Sequence, residues 1–316
     1  MRIPNFGANL ARSLALAAAA LVVTVPADAL AFCRSTTCGS DCPRDFDDCK
    51  TTGEKLFWPT MCVGFNLQED ASAHIELSVF EAVAHKSFVA WSDLDCDGGT
   101  ATLAFQRLDN VACHRAEFNP KGKNANVVLI QDNRWTYHSG DNTLAKTTVT
   151  FDTDTGEILD ADIELNHAYN EFTVGEELVI YDLQSILTHE IGHFIGLDHT
   201  PDYSATMNAA YEPSTIDLRT LEPDDEDAVC AAYPPSRAAQ CIAAPKGGLS
   251  YECEGTVAAE TGCAVAPAPS AAADPLARTR APVAPAALVL TALAAIVLRR
   301  RANEGRPCPR RAKLVA

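Results

Sequence analysis

Basic residues are scarce in this sequence. In 316 residues, 25 Lys and Arg stand against 42 Asp and Glu, and the net charge at pH 7 is −17. Residues 33–263 are more acidic still, with 14 Lys and Arg against 39 Asp and Glu, a net charge of −25. No part of this body has the basic cluster that phosphate contacts need. The composition therefore argues against nucleic acid and anionic lipid surfaces as its partners.

Long hydrophobic runs are also lacking, and the two apolar stretches lie at the ends of the chain. The first runs from Leu14 to Val25, after two arginines and before small residues that include Ala29 and Ala31. It is short for a membrane span, and the small residues are typical of a cleavage site. The sequence therefore predicts a secretory signal peptide over residues 1–31 and an exported protein.

The second apolar stretch follows a linker. Residues 264–285 are mostly Ala, Pro and other small residues, which cannot bury a core and predict a flexible segment. Residues 286–316 begin with a charge-free run that ends at Leu298 before three arginines. Counted from Ala281 the run reaches 18 residues, barely enough for a bilayer, with the arginines on the cytoplasmic side. A membrane anchor is one explanation.

A sorting signal is the other explanation. The order of spacer, short hydrophobic stretch and arginine cluster resembles the tripartite C-terminal sorting signals of bacterial surface proteins. In the myxobacterial (MYXO-CTERM) version a cysteine precedes the spacer, and Cys263 can fill that place. The 15 residues after Arg301 depart from the pattern, since such signals usually stop almost at once. We expect a protein anchored or sorted at the cell surface, or secreted after processing.

The chain has 12 cysteines, a number typical of compartments where disulfides persist. Five of them make residues 32–62 a Cys-rich segment, in which we expect disulfides; a structural zinc knot is the alternative. Without Cys263 and the tail residue Cys308, ten cysteines remain, enough for five disulfides. Which cysteines pair with each other cannot be deduced from the sequence. Residues 237–263 form a second Cys-containing segment.

The roughly 230 residues between the two tails are enough for one domain with a substantial core, which we place at residues 63–236. Apolar side chains three and four apart predict an amphipathic helix over residues 74–91. Residues 127–130 predict a short strand, and residues 147–152 and 157–165 predict a β-hairpin.

Two helices are predicted further on. Asp182 is a good N-cap for a helix with an apolar stripe. Residues 223–232 begin with proline and acidic side chains, which favour a helix start.

The stretch HEIGHFIGLDH carries the most specific pattern in the chain. With 3.6 residues per turn, His189 and His193 lie on one helix face and can point at one metal ion. Glu190 lies between them and can accept a proton from water. Gly196 permits the sharp bend that brings His199 back as a third ligand, with a fourth position open. The pattern predicts a catalytic zinc site.

The stretch from His189 to Tyr211 resembles the zinc signature of the metzincin metallopeptidases, and within them that of the matrixins. GLDHT at 196–200 is similar to the matrixin version, in which a small hydroxyl residue follows the third histidine. Met207 lies eight residues after His199, where the family has its Met-turn. Tyr211 fits the region that helps wall the primed-side pocket.

Two features depart from related patterns. Position 209 is Ala, where astacin-type relatives have a tyrosine. Pro43 and Arg44 are followed by Asp45, so the PRCG cysteine switch is absent and latency through a propeptide thiol is not expected.

The resemblance implies an α+β fold: a twisted mixed β-sheet with a zinc-bearing active-site helix, a backing helix and a C-terminal helix. In that fold the last strand before the zinc helix is the edge that pairs with substrate, and residues 161–166 are the candidate. The resemblance also implies an exported zinc-dependent endopeptidase for protein or peptide substrates. Zinc would be held by His189, His193 and His199, with Glu190 as the catalytic base.

Two other functions stay open. One is a catalytically weak surface binding or adhesion module on the same fold, against which the intact Glu190 argues. The other is a hydrolase for a small non-peptide substrate, which an exposed sheet edge does not favour.

A second motif follows the start of a calcium loop: Asp93, Asp95, Asp97 and Gly98. Position twelve of that loop is Ala104 rather than a bidentate glutamate, so an acidic turn beside Cys96 is the alternative to a Ca²⁺ site. The other histidines lack ligand-like spacing, and we expect them on the surface or in packing: His74, His85, His114, His138 and His167.

Overall fold

The computed structural model describes residues 32–39, 42–137 and 143–253, and the backbone of 311–315. The predicted signal peptide, linker and hydrophobic C-terminal run, together with Cys263 and His138, lie outside these residues. Within the described part, no helix is long and apolar enough to cross a bilayer.

Three helices and twelve strands make up the described chain. The helices are α1 (Leu77–Ala90), α2 (Leu183–Phe194) and α3 (Pro223–Ala232), with a single 3₁₀ turn at Asp217–Arg219. The strands are β1 (Cys33–Arg34), β2 (Cys62–Leu67), β3 (Asp95–Cys96), β4 (Gly99–Thr100), β5 (Ala104–Arg107), β6 (Val127–Ile130), β7 (Ala145–Asp152), β8 (Ile158–Leu165), β9 (Phe172–Thr173), β10 (Tyr181–Asp182), β11 (Leu197–Asp198) and β12 (Arg311–Val315).

Six of the strands form one mixed sheet in the order β12, β7, β8, β6, β2, β5. The pairs from β8 to β5 are parallel, whereas β7 pairs antiparallel with both β8 and β12. A mixed sheet with few helices is the α+β class that the sequence predicts.

The predicted substrate edge, residues 161–166, is wrong. These residues belong to β8, which lies between β7 and β6. Because β8 pairs with β6, the strand that precedes it in the chain, β7, lies farther from the centre of the sheet than β8 does. In β7, residues Thr148–Asp152 pair with β12 on the side away from β8.

Helices α1 and α2 pack against each other and join one core with the sheet. The ring of Phe88 in α1 stacks on Phe65 of β2 at 3.8 Å between centroids. Just after α1, Trp91 donates from Nε1 to the carbonyl of Thr188 at 2.8 Å. The helix that bears the metal motif is therefore fixed from behind by α1.

Helix α1 starts at Leu77, three residues later than the pattern of residues 74–91 suggests. The preceding residues form a turn that Asp132 holds. Its carboxylate accepts bonds from the Ser72 hydroxyl at 2.7 Å and from the Ala73 backbone N–H at 2.6 Å. Tertiary contacts therefore decide this helix start.

The ten cysteines of the body form five disulfides, as predicted from their number. Two close the N-terminal segment, Cys33–Cys49 and Cys38–Cys42. Three join distant parts of the chain: Cys62–Cys241, Cys96–Cys230 and Cys113–Cys253. The alternative of a zinc knot in residues 32–62 is therefore wrong, and Cys62 does not pair within that segment.

Candidate metal centre

Helix α2 presents the first half of the metal motif, and its N-terminus is fixed by Asp182. The Asp182 carboxylate accepts from the Ser185 backbone N–H at 2.8 Å, the N-cap contact that the sequence predicts. Arg219 donates to both oxygens of the same carboxylate, at 2.8 and 2.6 Å. Since Asp182 is fully buried, this ion pair anchors the helix against the 3₁₀ turn.

The three histidines of the motif converge. The Nε2 atom of His199 lies 3.2 Å from Nε2 of His189 and 3.1 Å from Nε2 of His193. Nitrogen ligands at 2.0–2.1 Å in a tetrahedral zinc site are about 3.3 Å apart. Among the described residues, this is the only group of three or more potential ligands close enough to hold an ion. The spacing fits zinc.

Hydrogen bonds at the far side of two imidazoles orient the ligands. Nδ1 of His189 lies 2.6 Å from the carbonyl of Thr206, and Nδ1 of His193 lies 3.0 Å from the carbonyl of Leu197. A carbonyl only accepts, so Nδ1 carries the proton and the Nε2 lone pair faces the metal position.

The protonation states of these histidines also suit a metal. Burial lowers the pKa of His189 to about 4, and the nearby His199 adds to the effect. Burial likewise lowers the pKa of His193 well below its usual value. At neutral pH both imidazoles are therefore uncharged, the form that binds a metal.

Gly196 makes the bend that the sequence predicts. Its φ is +87°, and a Cβ there would come within 2.6 Å of the Leu56 carbonyl oxygen. Only glycine fits both the positive φ and the close approach. Residues 197–199 then turn back toward α2 and bring His199 to the other two ligands.

Met207 packs against helix α2 at Gly192. A Cβ on Gly192 would come within 2.0 Å of Met207 Sδ, so the helix and the turn pack in direct contact. Asp225 of α3 holds this turn, since its carboxylate accepts from the backbone N–H groups of Thr206 at 2.7 Å and Met207 at 3.0 Å. Thr206 in turn fixes His189.

Glu190 is buried beside the metal position. Its side chain is in contact with Thr147 of β7, whose hydroxyl donates to Glu190 Oε2 at 2.5 Å and lies 3.1 Å from the Glu190 carbonyl oxygen. Burial raises the pKa of the Glu190 carboxyl to about 7, and the bonds from Thr147 oppose this shift. A carboxylate with such a pKa is suited to accept a proton.

A cleft of about 510 Å³ opens on these residues. The three histidines and Glu190 line it, together with Ala145 and Lys146 of β7. Tyr211 forms part of its wall; the Tyr211 hydroxyl accepts from the Asp182 N–H at 3.0 Å and donates to the Thr215 carbonyl at 2.7 Å. The structure thus brings the three histidines, Glu190 and Tyr211 to one cleft. Met207 packs against the helix that carries two of these histidines.

The acidic residues at 93–98 do not line this cleft. Asp95 belongs to a two-stranded hairpin of β3 and β4, next to the Cys96–Cys230 disulfide. No group with metal-holding geometry occurs there among the described residues. The arrangement is that of the acidic turn, and a Ca²⁺ site is not supported.

Several residues of the centre carry no signal in the sequence. Thr147, Thr206 and Arg219 act through contacts with parts of the chain far from their own position. Asp225 had a partial signal, because acidic residues at a helix start are expected, but its bond to the Met207 turn was not predictable.

The fold is a mixed α+β sheet beside a helix, with three histidines placed so that they could hold one metal ion. The sequence profile of the matrixin family matches residues 58–234, more than half of the chain, and the chain therefore belongs to the matrixin family. The family implies zinc as the metal.

Two relatives agree with this assignment. A probable matrix metalloproteinase of Invertebrate iridescent virus 3 is 29% identical over 164 residues, 48% of this chain and 36% of the relative. A metalloendoproteinase of Arabidopsis thaliana is 41% identical over 64 residues, 20% of this chain and 17% of the relative. The match thus covers 36% of the length of the first relative and 17% of the second.

Proposed function

We propose that the chain is an exported zinc endopeptidase in which His189, His193 and His199 hold the metal and Glu190 is the catalytic base. The convergence of the three Nε2 atoms beside a buried carboxylate carries this proposal. Zinc supplies a Lewis acid for the water and the scissile carbonyl. Glu190 accepts a proton from the attacking water and returns it to the leaving amine.

The substrate in this proposal is an extended peptide beside β7. Ala145 and Lys146, at the start of β7, line the cleft, so a peptide bound in the cleft would lie beside this strand. The cleft also has an apolar wall, which favours an apolar substrate side chain next to the scissile bond: Ile186, Tyr211, Pro213 and Leu218.

Digestion of a peptide library by the purified protein tests the proposal. Cleavage should occur at internal peptide bonds, stop when a chelator removes the metal and return when Zn²⁺ is added back. Binding of peptides without turnover by the zinc-loaded protein would favour the surface binding module instead.

The first prediction concerns Thr147, which we expect to orient Glu190. Replacing Thr147 by Val removes the hydroxyl at Glu190 Oε2 but keeps the volume of the side chain. We expect kcat to fall about 10-fold, with KM and bound zinc unchanged, because a positioning contact of the base is lost. Thr147→Ser keeps the hydroxyl and is the control. Equal kcat in the Val and Ser variants would show that the hydroxyl has no such role.

The cellular location remains part of the proposal. The five disulfides support export, since disulfides persist in oxidising compartments. The role of residues 286–316 is constrained by β12, which pairs with β7 of the domain. If residues 286–298 crossed a membrane, Arg311–Val315 would lie on the opposite side from β7. The paired and the membrane-spanning states therefore exclude each other in one molecule.

The second prediction concerns this C-terminal region. Deleting residues 264–316 should release an active, soluble enzyme into the medium, because no proposed catalytic residue lies there and the hydrophobic run is removed. Activity in cell and medium fractions is the measurement. Activity that stays with the cells would contradict an anchoring or sorting role. Mass spectrometry of the native protein then shows whether the chain ends near Cys263 or at Ala316.

A further inference from the structure

The N-terminal segment, residues 32–39 and 42–50, contacts the loop of the third ligand although it precedes the part of the chain that matches the family, residues 58–234. Strand β1 pairs antiparallel with β11, with Cys33 opposite Asp198 and Arg34 opposite Leu197. Strand β11 ends directly before His199. The segment therefore adds a strand to the loop on which a metal ligand depends.

Side chains of the segment reinforce this pairing. The Ser35 backbone N–H donates to the Gly196 carbonyl at 3.0 Å, and the Ser35 hydroxyl donates to the Leu197 carbonyl at 2.9 Å. The Leu197 carbonyl is also the group that orients Nδ1 of His193. Ser35 thus contacts Leu197, whose carbonyl orients His193, and Gly196, whose bend places His199.

Lys50 and Asp198 form the most direct link to His199. Lys50 Nζ lies 3.0 Å from Asp198 Oδ2, and the two side chains are only 6% and 14% exposed. The other oxygen of Asp198 accepts from the His199 backbone N–H at 3.0 Å. One carboxylate therefore joins a buried cation to the backbone of the third ligand.

The Cys33–Cys49 disulfide closes this arrangement. Cys33 is paired with Asp198 through β1, and Cys49 is adjacent to Lys50, whose ammonium returns to Asp198. The other disulfide of the segment, Cys38–Cys42, does not link residues that contact Asp198. The covalent bond limits the positions from which Lys50 can reach its carboxylate.

We propose that residues 32–39 and 42–50 form a disulfide-closed brace for the loop at 196–199, in which Lys50 is a positioning residue for the metal ligand His199. The inference rests on the proposed zinc site. Its specific content is that the brace keeps the bound metal in place, so loss of the brace increases the rate of metal release.

Release of Zn²⁺ to a colorimetric chelator tests the brace in the full-length protein. We expect Lys50→Met to release zinc about 10-fold faster than the unmodified chain, the size of effect typical of residues that hold a ligand from behind. Lys50→Arg, which keeps the charge, should release zinc at the rate of the unmodified chain. Lys55→Met is the matched control, since Lys55 is an exposed lysine five residues further along the same chain. It should have no effect.

The disulfides give an independent pair of variants. Cys33→Ser/Cys49→Ser should release zinc faster, whereas Cys38→Ser/Cys42→Ser should release it at the original rate. If Lys50→Met does not fold, this pair decides the question. The visible spectrum of the Co²⁺-substituted protein is a second readout, and it should change in Lys50→Met but not in Lys55→Met.

The outcomes separate the brace from the zinc site itself. An unmodified chain that binds no zinc would overturn the proposed function. An unmodified chain that binds zinc, with folded Lys50→Met and Cys33→Ser/Cys49→Ser variants that release it at the same rate, would overturn the brace and leave the zinc site intact.

Discussion

Replacing Glu190 by Gln should leave zinc and the fold in place but abolish most peptide cleavage. Glutamine matches the shape of glutamate, and its carbonyl oxygen can accept the bond that Thr147 donates to Oε2. The amide cannot accept a proton from water. General base catalysis contributes roughly 10²–10⁴-fold, and we expect kcat/KM to fall by that factor.

Steady-state cleavage of a peptide found in the library measures this effect, with zinc content determined on the same samples. Glu177→Gln is the control, because Glu177 is exposed and does not line the cleft. Near-original turnover in the Glu190 variant would contradict the assignment of the base. A variant that binds peptides tightly without cleaving them would be useful for locating the substrate along β7.

Replacing His199 by Ala should have the second large effect, on the metal itself. The change leaves two imidazoles of the three, and two ligands from one helix face cannot enclose the ion. Since residues that only support a ligand already contribute about 10–100-fold to metal affinity, we expect zinc affinity to fall roughly 100-fold or more. Peptide cleavage should be lost with the metal.

His167→Ala is the matched control for that variant. His167 stacks on His74 at 4.9 Å between ring centroids and lies 3.6 Å from Asp132, away from the three ligands. Its removal should leave zinc content unchanged. The measurement is zinc per protein after dialysis against a weak chelator, and equal zinc content in the two variants would contradict the ligand assignment.

The local elements were predictable because their signals lie within a few residues of one another. The N-cap at Asp182, the proline start of α3 and the hairpin of β7 and β8 all occur where the sequence places them. In each of them, side chains act on the backbone of their own element. The start of α1 differs because Asp132, distant in sequence, holds the preceding turn.

Contacts between distant parts of the chain were less predictable from the sequence. The number of disulfides followed from the cysteine count, but the pairing of Cys62 with Cys241 joins residues 179 apart. The choice of residues 161–166 as the sheet edge failed because strand order depends on which neighbour pairs with β6. Nothing in the alternation of a single strand carries that information.

The sequence by itself determined which residues form the candidate metal centre: His189, Glu190, His193 and His199 lie within a stretch so short that helix periodicity and one glycine bend suffice to bring them together. Only the tertiary structure decided what holds them. The Thr147 hydroxyl reaches Glu190 from 43 residues away, and Lys50 reaches the loop of His199 from the N-terminal segment. Such contacts depend on the packing of whole elements, which the spacing of residues along the chain does not specify.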